Sequence, residues 1–366
     1  MGNLKNLFYL ISFLFFAVNT SCTTQQADLK LNYSNPQIWY EGRIDTSNAE
    51  GAKLYWSGTS VKINFEGESI SALMSDENGT NDFNIQLDQD STVLLRMDTV
   101  KRYYTLASGL APGEHTLELF KRTEWDRGTT TFYGFKIEGN AQVLPKSPAK
   151  KRKIEFYGNS ITAGYAVEDT TGKDRPSGTF TNNYLSYAAI TARHFDARYH
   201  CICKSGIGIM ISWFPLIMSD IYDRLNPADS TSQWDFSSYT PDLVVINLFQ
   251  NDSWLVNRPE RDEFKANFGN KAPDDEYIIQ AYQSFVAGIR DQYPQASIIC
   301  MLGNMDATKE DSQWPGYIEQ AVSRLDDPEI YSFFMPFKET SGHPSIQEQQ
   351  TMGNSLIRFI DEHIEW

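Results

Sequence analysis

The chain has 366 residues, a hydrophobic fraction of 41%, an aromatic fraction of 13% and a net charge of −15, with a pI near 4.8. That length suits two domains, and the composition suits packed cores and not disorder. The acidic balance argues against nucleic acid and anionic membrane surfaces, which attract basic proteins, and disfavours a strongly polyanionic substrate.

The chain opens with Lys5 and the apolar run "LFYLISFLFFAV", followed by "NTSC". The run is too short and too early for a good membrane span, so residues 1–22 read as a secretory signal. Its end at Cys22, after the small Ser21, resembles a bacterial lipoprotein signal whose cysteine is lipidated, although Asn19 departs from that pattern. Export follows as an expectation, with the membrane touched only through an N-terminal lipid anchor, or with plain secretion. The segment after Cys22 reads as a polar tether, and residues 1–22 are set aside from the fold.

Residues 28–144 read as all-β. In "VKINFEG", Val61, Ile63 and Phe65 share one face and Lys62, Asn64 and Glu66 the other; "DFNIQLD", "HTLELF" and "YGFKIEG" repeat the alternation. Turn signals at Asn78-Gly79 and at 111–113 separate the runs, which predicts a β-sandwich or jelly roll. The basic stretch from Leu144 to Lys153 reads as a solvated linker or interdomain contact.

From residue 154 the texture changes to α/β. Short runs ("KIEFYG", "ARYHCICK", "DLVVINLF", "SIICML", "IYSFFMPF") alternate with helical stripes such as Ile278, Tyr282, Phe285, Val286 and Ile289. Such alternation predicts a three-layer parallel sheet, covered on both faces, with ligands bound beyond the carboxyl ends of its strands. Cys201, Cys203 and Cys300 have neither zinc-site nor redox-pair spacing and read as buried free thiols, with one disulfide left open in an oxidising compartment.

Those strand ends carry chemistry. The first delivers Gly158-Asn159-Ser160, the second "KSGIG" with Gly206 and Gly208, the third "NLFQND" with Asn251 and Asp252, and the fifth leads to "KETSGHPS" with His343. A serine, a bare backbone N–H, an amide and an imidazole are the parts of an acyl-transfer site: nucleophile, oxyanion donors and base. A serine at a helix start also serves as an N-cap, so its role hangs on whether His343 and Asn251 meet it. The remaining histidines, His115, His194, His200 and His363, lack such context and read as structural or surface residues.

In order, "YGNSIT", "SGIG", "QND" and "GHP" resemble the four blocks of the SGNH (GDSL-type) hydrolases, which have a flavodoxin-like α/β fold. With the all-β region before them, the chain more narrowly resembles carbohydrate esterase family 2, whose members deacetylate polysaccharides. The resemblance implies Ser160 as nucleophile and His343 as general base and acid. It also implies an oxyanion hole of the Ser160 N–H, the Gly206 N–H and the Asn251 amide, with Gly208 as the alternative glycine. Pro344 is expected at the first position of a terminal helix, and Asp252 to tie down the Asn251 loop. No cofactor and no metal are expected. Trp254, Trp213 and Tyr165 are candidate platforms for an acetylated polysaccharide or oligosaccharide, because a sugar ring presents an apolar face.

Two positions depart from the family pattern. Thr340 stands where an aspartate three residues before the histidine is usual, so a backbone carbonyl near Gly342 or Ser341, or else Glu339, is expected to hold the imidazole. Phe249 stands where the third block has glycine, and a narrowed acyl pocket is the expectation. These departures motivate a second class, an inactive carbohydrate-binding lipoprotein; a lipase- or thioesterase-like hydrolase is a variant of the first.

Overall fold

The computed structural model describes residues 28–175 and 178–366; the leader and Cys22 lie outside them. The N-terminal part is built from two six-stranded antiparallel sheets. Alternation explains them. Along Ser60–Glu66, Val61, Ile63 and Phe65 are buried while Lys62, Asn64 and Glu66 are half-buried, and the neighbouring Glu114–Lys121 sets Leu119 and Leu117 opposite Val61 and Ile63. One core lies between the sheets, with Ile63, Phe83 and Leu119 from one meeting Ile70, Met74 and Phe135 from the other.

The C-terminal part holds the five predicted parallel strands: Lys153–Gly158, Arg198–Cys203, Leu243–Asn247, Ser297–Leu302 and Ile330–Phe334. They lie in the order second, first, third, fourth, fifth. This doubly wound order reverses beside the first strand, where ligand crevices form in such sheets. Phe156, Cys201 and Val245 face the helices Tyr187–His194 and Ile346–His363, packing with Ala188 and Leu356. Tyr157, Ile202 and Ile246 face Asp275–Gln292 and Trp314–Leu325, packing with Val286 and Ile318. Burial on both faces is why these strands are apolar throughout. Cys201, Cys203 and Cys300 are buried free thiols.

The two parts are joined closely. In the basic stretch, Lys150 pairs with Asp196 at 3.2 Å and Arg152 lies 4.8 Å over the Trp366 ring, so it makes contacts as well as connecting. Arg43 enters the base of the α/β part, donating to the carbonyls of Tyr222 (2.6 Å) and Arg224 (3.1 Å) and pairing with the buried Glu155 at 3.3 Å.

Candidate active site

The first parallel strand ends at Gly158, and Ser160 opens a one-turn helix, Ser160–Ala163. Asn159, not Ser160, is the cap: its side chain accepts the Ile161 N–H at 3.0 Å. Ser160 Oγ instead lies 2.8 Å from His343 Nε2. The helix stops at once on Gly164, so any dipole support it gives at Ser160 is that of a single turn.

His343 sits between the fifth strand and the helix Ile346–His363. Pro344 precedes the cap instead of opening the helix, because Ser345 and Glu348 form a capping box there. The imidazole orienter differs from expectation. It is neither a carbonyl of residue 341 or 342 nor Glu339, but Asp174, from the loop that follows the serine. Asp174 Oδ2 lies 2.8 Å from His343 Nδ1, and Oδ1 accepts the His343 backbone N–H at 2.8 Å. Burial would raise this carboxyl, but its bonds to the His343 ring and backbone N–H outweigh it and hold it below the usual carboxylate range. An ionised carboxylate only accepts, so Nδ1 carries the proton and Nε2 is left free to receive one from Ser160. The close approach requires Gly342: φ is +73°, and a Cβ would lie 2.9 Å from Asp174 Oδ1 and 2.7 Å from Gly172 O. Thr340, at the usual aspartate position, bonds to Lys338 Nζ and Glu348 and so braces the loop.

The other two strand ends supply donors. Gly206 adopts φ +84°, a left-handed conformation that favours glycine, beside the rings of Trp213 and Phe214. Gly208 drops out as its alternative, because its N–H already donates to Ser212 Oγ at 2.9 Å. Asn251 donates through Nδ2 to Ile207 O (2.7 Å) and accepts at Oδ1 from Trp213 Nε1 (3.0 Å). An indole only donates and a carbonyl only accepts, so the amide has one orientation with one N–H to spare. Asp252 ties down residues 209–211: Oδ1 accepts from the N–H groups of Ile209 (3.1 Å), Met210 (2.8 Å) and Ile211 (3.2 Å). Burial pushes its carboxyl up to about 6 against the pull of these bonds.

Phe249 does not narrow the site. It adopts φ +81°, the conformation a glycine would take, and its ring is buried against Tyr282 and Trp314 on the core side. The cleft itself has a volume of about 660 Å³ and is lined by Ser160, Gly206, Asn251, Asp174 and His343, together with Tyr165, Trp213 and Trp254. All three predicted aromatic residues reach it, each with a second contact. Tyr165 meets the imidazole edge-on at 4.9 Å, Trp254 donates to Asp306 at 2.9 Å, and Trp213 is 37% exposed beneath Arg261. Among the described residues no group of three or more His, Cys, Asp or Glu is placed to hold a metal. Asp174, Asp306 and Lys338 went unread in the sequence; the one usable signal for Asp174 was a long loop without regular structure after the serine strand.

A hydroxyl, an imidazole and a carboxylate in this relay, at the carboxyl edge of a parallel sheet, are the working parts of a serine hydrolase. Residues 40–148 match the family model described as carbohydrate esterase 2 N-terminal. A family two carbohydrate esterase from Clostridium thermocellum, solved in complex with cellohexaose, superposes with a TM-score of 0.79 at 34% identity, covering 89% of this chain and 98% of that one. The cellulase/esterase CelE of Acetivibrio thermocellus is 34% identical over 91% of the chain, which spans 40% of CelE's length. An acetylxylan esterase / glucomannan deacetylase of Cellvibrio japonicus is 24% identical over 97% of both chains. The chain belongs to the family 2 carbohydrate esterases.

Proposed function

We propose that this protein is a serine esterase that removes O-acetyl groups from polysaccharides or oligosaccharides through an acetyl-enzyme. The carrying observation is the 2.8 Å contact of Ser160 Oγ with His343 Nε2, backed by Asp174. In this reading His343 takes the Ser160 proton as Oγ attacks the acetyl carbonyl. The N–H groups of Ser160 and Gly206 and the spare Asn251 N–H receive the negative charge. Collapse breaks the bond from the acetyl carbon to the sugar oxygen, which takes the proton from Nε2 and leaves as a hydroxyl; water then repeats the sequence and releases acetate. Trp213, Trp254 and Tyr165 would present aromatic surface to the sugar rings.

The reading extends to the architecture: a jelly-roll or sandwich domain over 28–144, a linker over 145–153 and an SGNH domain over 154–366. Export as a lipoprotein through Cys22 is supported by the leader sequence alone. The two departures that pointed to a binding-only protein are met by the geometry: Asp174 lies against His343 Nδ1, and Phe249 lies clear of the cleft. The test is hydrolysis of 4-nitrophenyl acetate and of acetylated xylan, glucomannan and pectin by wild type and Ser160→Ala. Turnover by wild type is expected, and its loss in the variant. Turnover that survives in Ser160→Ala would sink the assignment.

A further inference from the structure

Beyond the α/β part, one short segment of the all-β part reaches both sides of the catalytic centre. The strand Glu114–Lys121 leads out through "KRTE", residues 121–124, and the charged side chains of this run are buried. Lys121 turns inward and donates to the carbonyls of Thr123 (2.8 Å) and Glu124 (3.1 Å), fixing the run's own backbone.

Arg122 grips the neck of the loop that carries Asp174. It pairs with Glu168 ahead of Asp174, and donates to the carbonyls of Thr179 (3.1 Å) and Thr181 (3.0 Å) beyond it. Its own carbonyl accepts the Asn183 N–H at 3.0 Å. Glu124 grips the opposite side. One carboxylate oxygen accepts the Ser205 N–H and the other the Ser205 hydroxyl at 2.8 Å, which fixes the residue whose carbonyl forms the peptide with Gly206. Lys204, 3.9 Å from Glu124 and 2.9 Å from Asp126, offsets the negative charge this brings near an oxyanion. Neither Arg122 nor Glu124 lines the cleft. Chemistry of this kind tolerates little displacement: about 1 Å of misplacement caused from a distance can cost ~100-fold in rate.

We propose that Arg122 and Glu124 are positioning residues through which the all-β part completes the hydrolytic centre. Arg122 holds the loop that presents Asp174 to His343, and Glu124 holds the Gly206 N–H in the oxyanion hole. The inference rests on the serine-esterase reading and gives the all-β part a role in the chemical step, apart from any contact with polysaccharide.

The test uses the full chain and 4-nitrophenyl acetate, a substrate too small to engage a polysaccharide groove. The variants are Arg122→Gln, Arg122→Lys, Glu124→Ala and Glu124→Gln, each followed by thermal melting. Arg198→Ala is the control, because it removes another contact between the two parts, the 3.1 Å Arg198–Glu41 pair, at the far end of the second parallel strand. Glu124→Ala is expected to lower kcat by about 10- to 100-fold with KM within about twofold and the pH profile unmoved, as for a weakened oxyanion hole. Arg122→Gln should lower kcat at least about tenfold and move the acid limb of the profile in the direction that Asp174→Asn moves it. The conservative changes, Arg122→Lys and Glu124→Gln, should each show a smaller loss than the harsher change at the same position, and they carry the comparison where the harsher variant does not fold. Losses no larger than in Arg198→Ala, or losses that only track melting temperature, would overturn the proposal. A wild type without turnover would instead sink the esterase reading on which it stands.

Discussion

Asp174 places two functions on one carboxylate. One oxygen fixes the imidazole ring and the other its backbone, both at 2.8 Å, so ring orientation and loop position are set together. Asp174→Asn would leave one oxygen to accept and set an amide N–H against a second donor, which favours the wrong tautomer. We expect kcat for 4-nitrophenyl acetate to fall by about 10³–10⁴ with a small change in KM, read by steady-state kinetics. Trp213 works at the same scale. Its indole bond to Asn251 Oδ1 orients the amide, so in the proposed mechanism this tryptophan would serve the oxyanion hole apart from any contact with sugar.

Among the elements, the segment 209–211 shows how a loop is held in place without secondary structure. Its N–H groups converge on Asp252, at the start of the helix Gln250–Leu255, and the neighbouring Asn251 anchors Ile207. Asp252→Asn would keep the volume but offer one acceptor where two oxygens now serve the loop. We expect a stability loss of about 2–4 kcal/mol in urea unfolding, since buried N–H groups lose partners, together with a lower kcat as Asn251 shifts. The terminal helix has a comparable device. Glu348 closes its capping box and also takes the Thr340 hydroxyl, which ties the His343 loop to the helix start.

At the scale of the whole molecule, the Arg43–Glu155 pair locks the two parts together. Burial alone would raise the Glu155 carboxyl, but the Arg43 guanidinium outweighs it and holds it down at about 2, from an ordinary 4.5. A value lower in the folded state than in the unfolded means the contribution is fully present above about pH 4.5 and is lost as pH falls toward 2. That shift corresponds to on the order of 3 kcal/mol. Glu155→Gln should lower stability at pH 7 by about 3–5 kcal/mol, because it strands a buried guanidinium. It should also flatten the decline of stability between pH 4.5 and 2. Chemical unfolding at stepped pH reads both effects; a variant with wild-type stability at pH 7 and an unchanged acid decline would show that the pair is not a lock.

Much of this protein was written locally along the chain. Alternation in "VKINFEG" and unbroken apolar runs such as "DLVVINLF" determined two antiparallel sheets followed by a parallel one, because burial on one face or two leaves its mark within a few residues. Ser160, Asn251 and His343 were legible for a related reason: each sits just beyond a strand end, where the topology of a parallel sheet brings chain segments to one rim. Tertiary structure alone decided the rest. Asp174 is 169 residues from His343 and lies on an irregular loop with no period to betray it. Phe249 turns its ring into the core because its backbone takes a left-handed turn that composition does not announce. Arg122 and Glu124 lie just past a strand end with nothing in their spacing to mark them, and only the docking of the two parts buries them against the loops of Asp174 and Gly206. Periodicity records what a residue is buried by; it carries no information on which distant loop a polar side chain will meet.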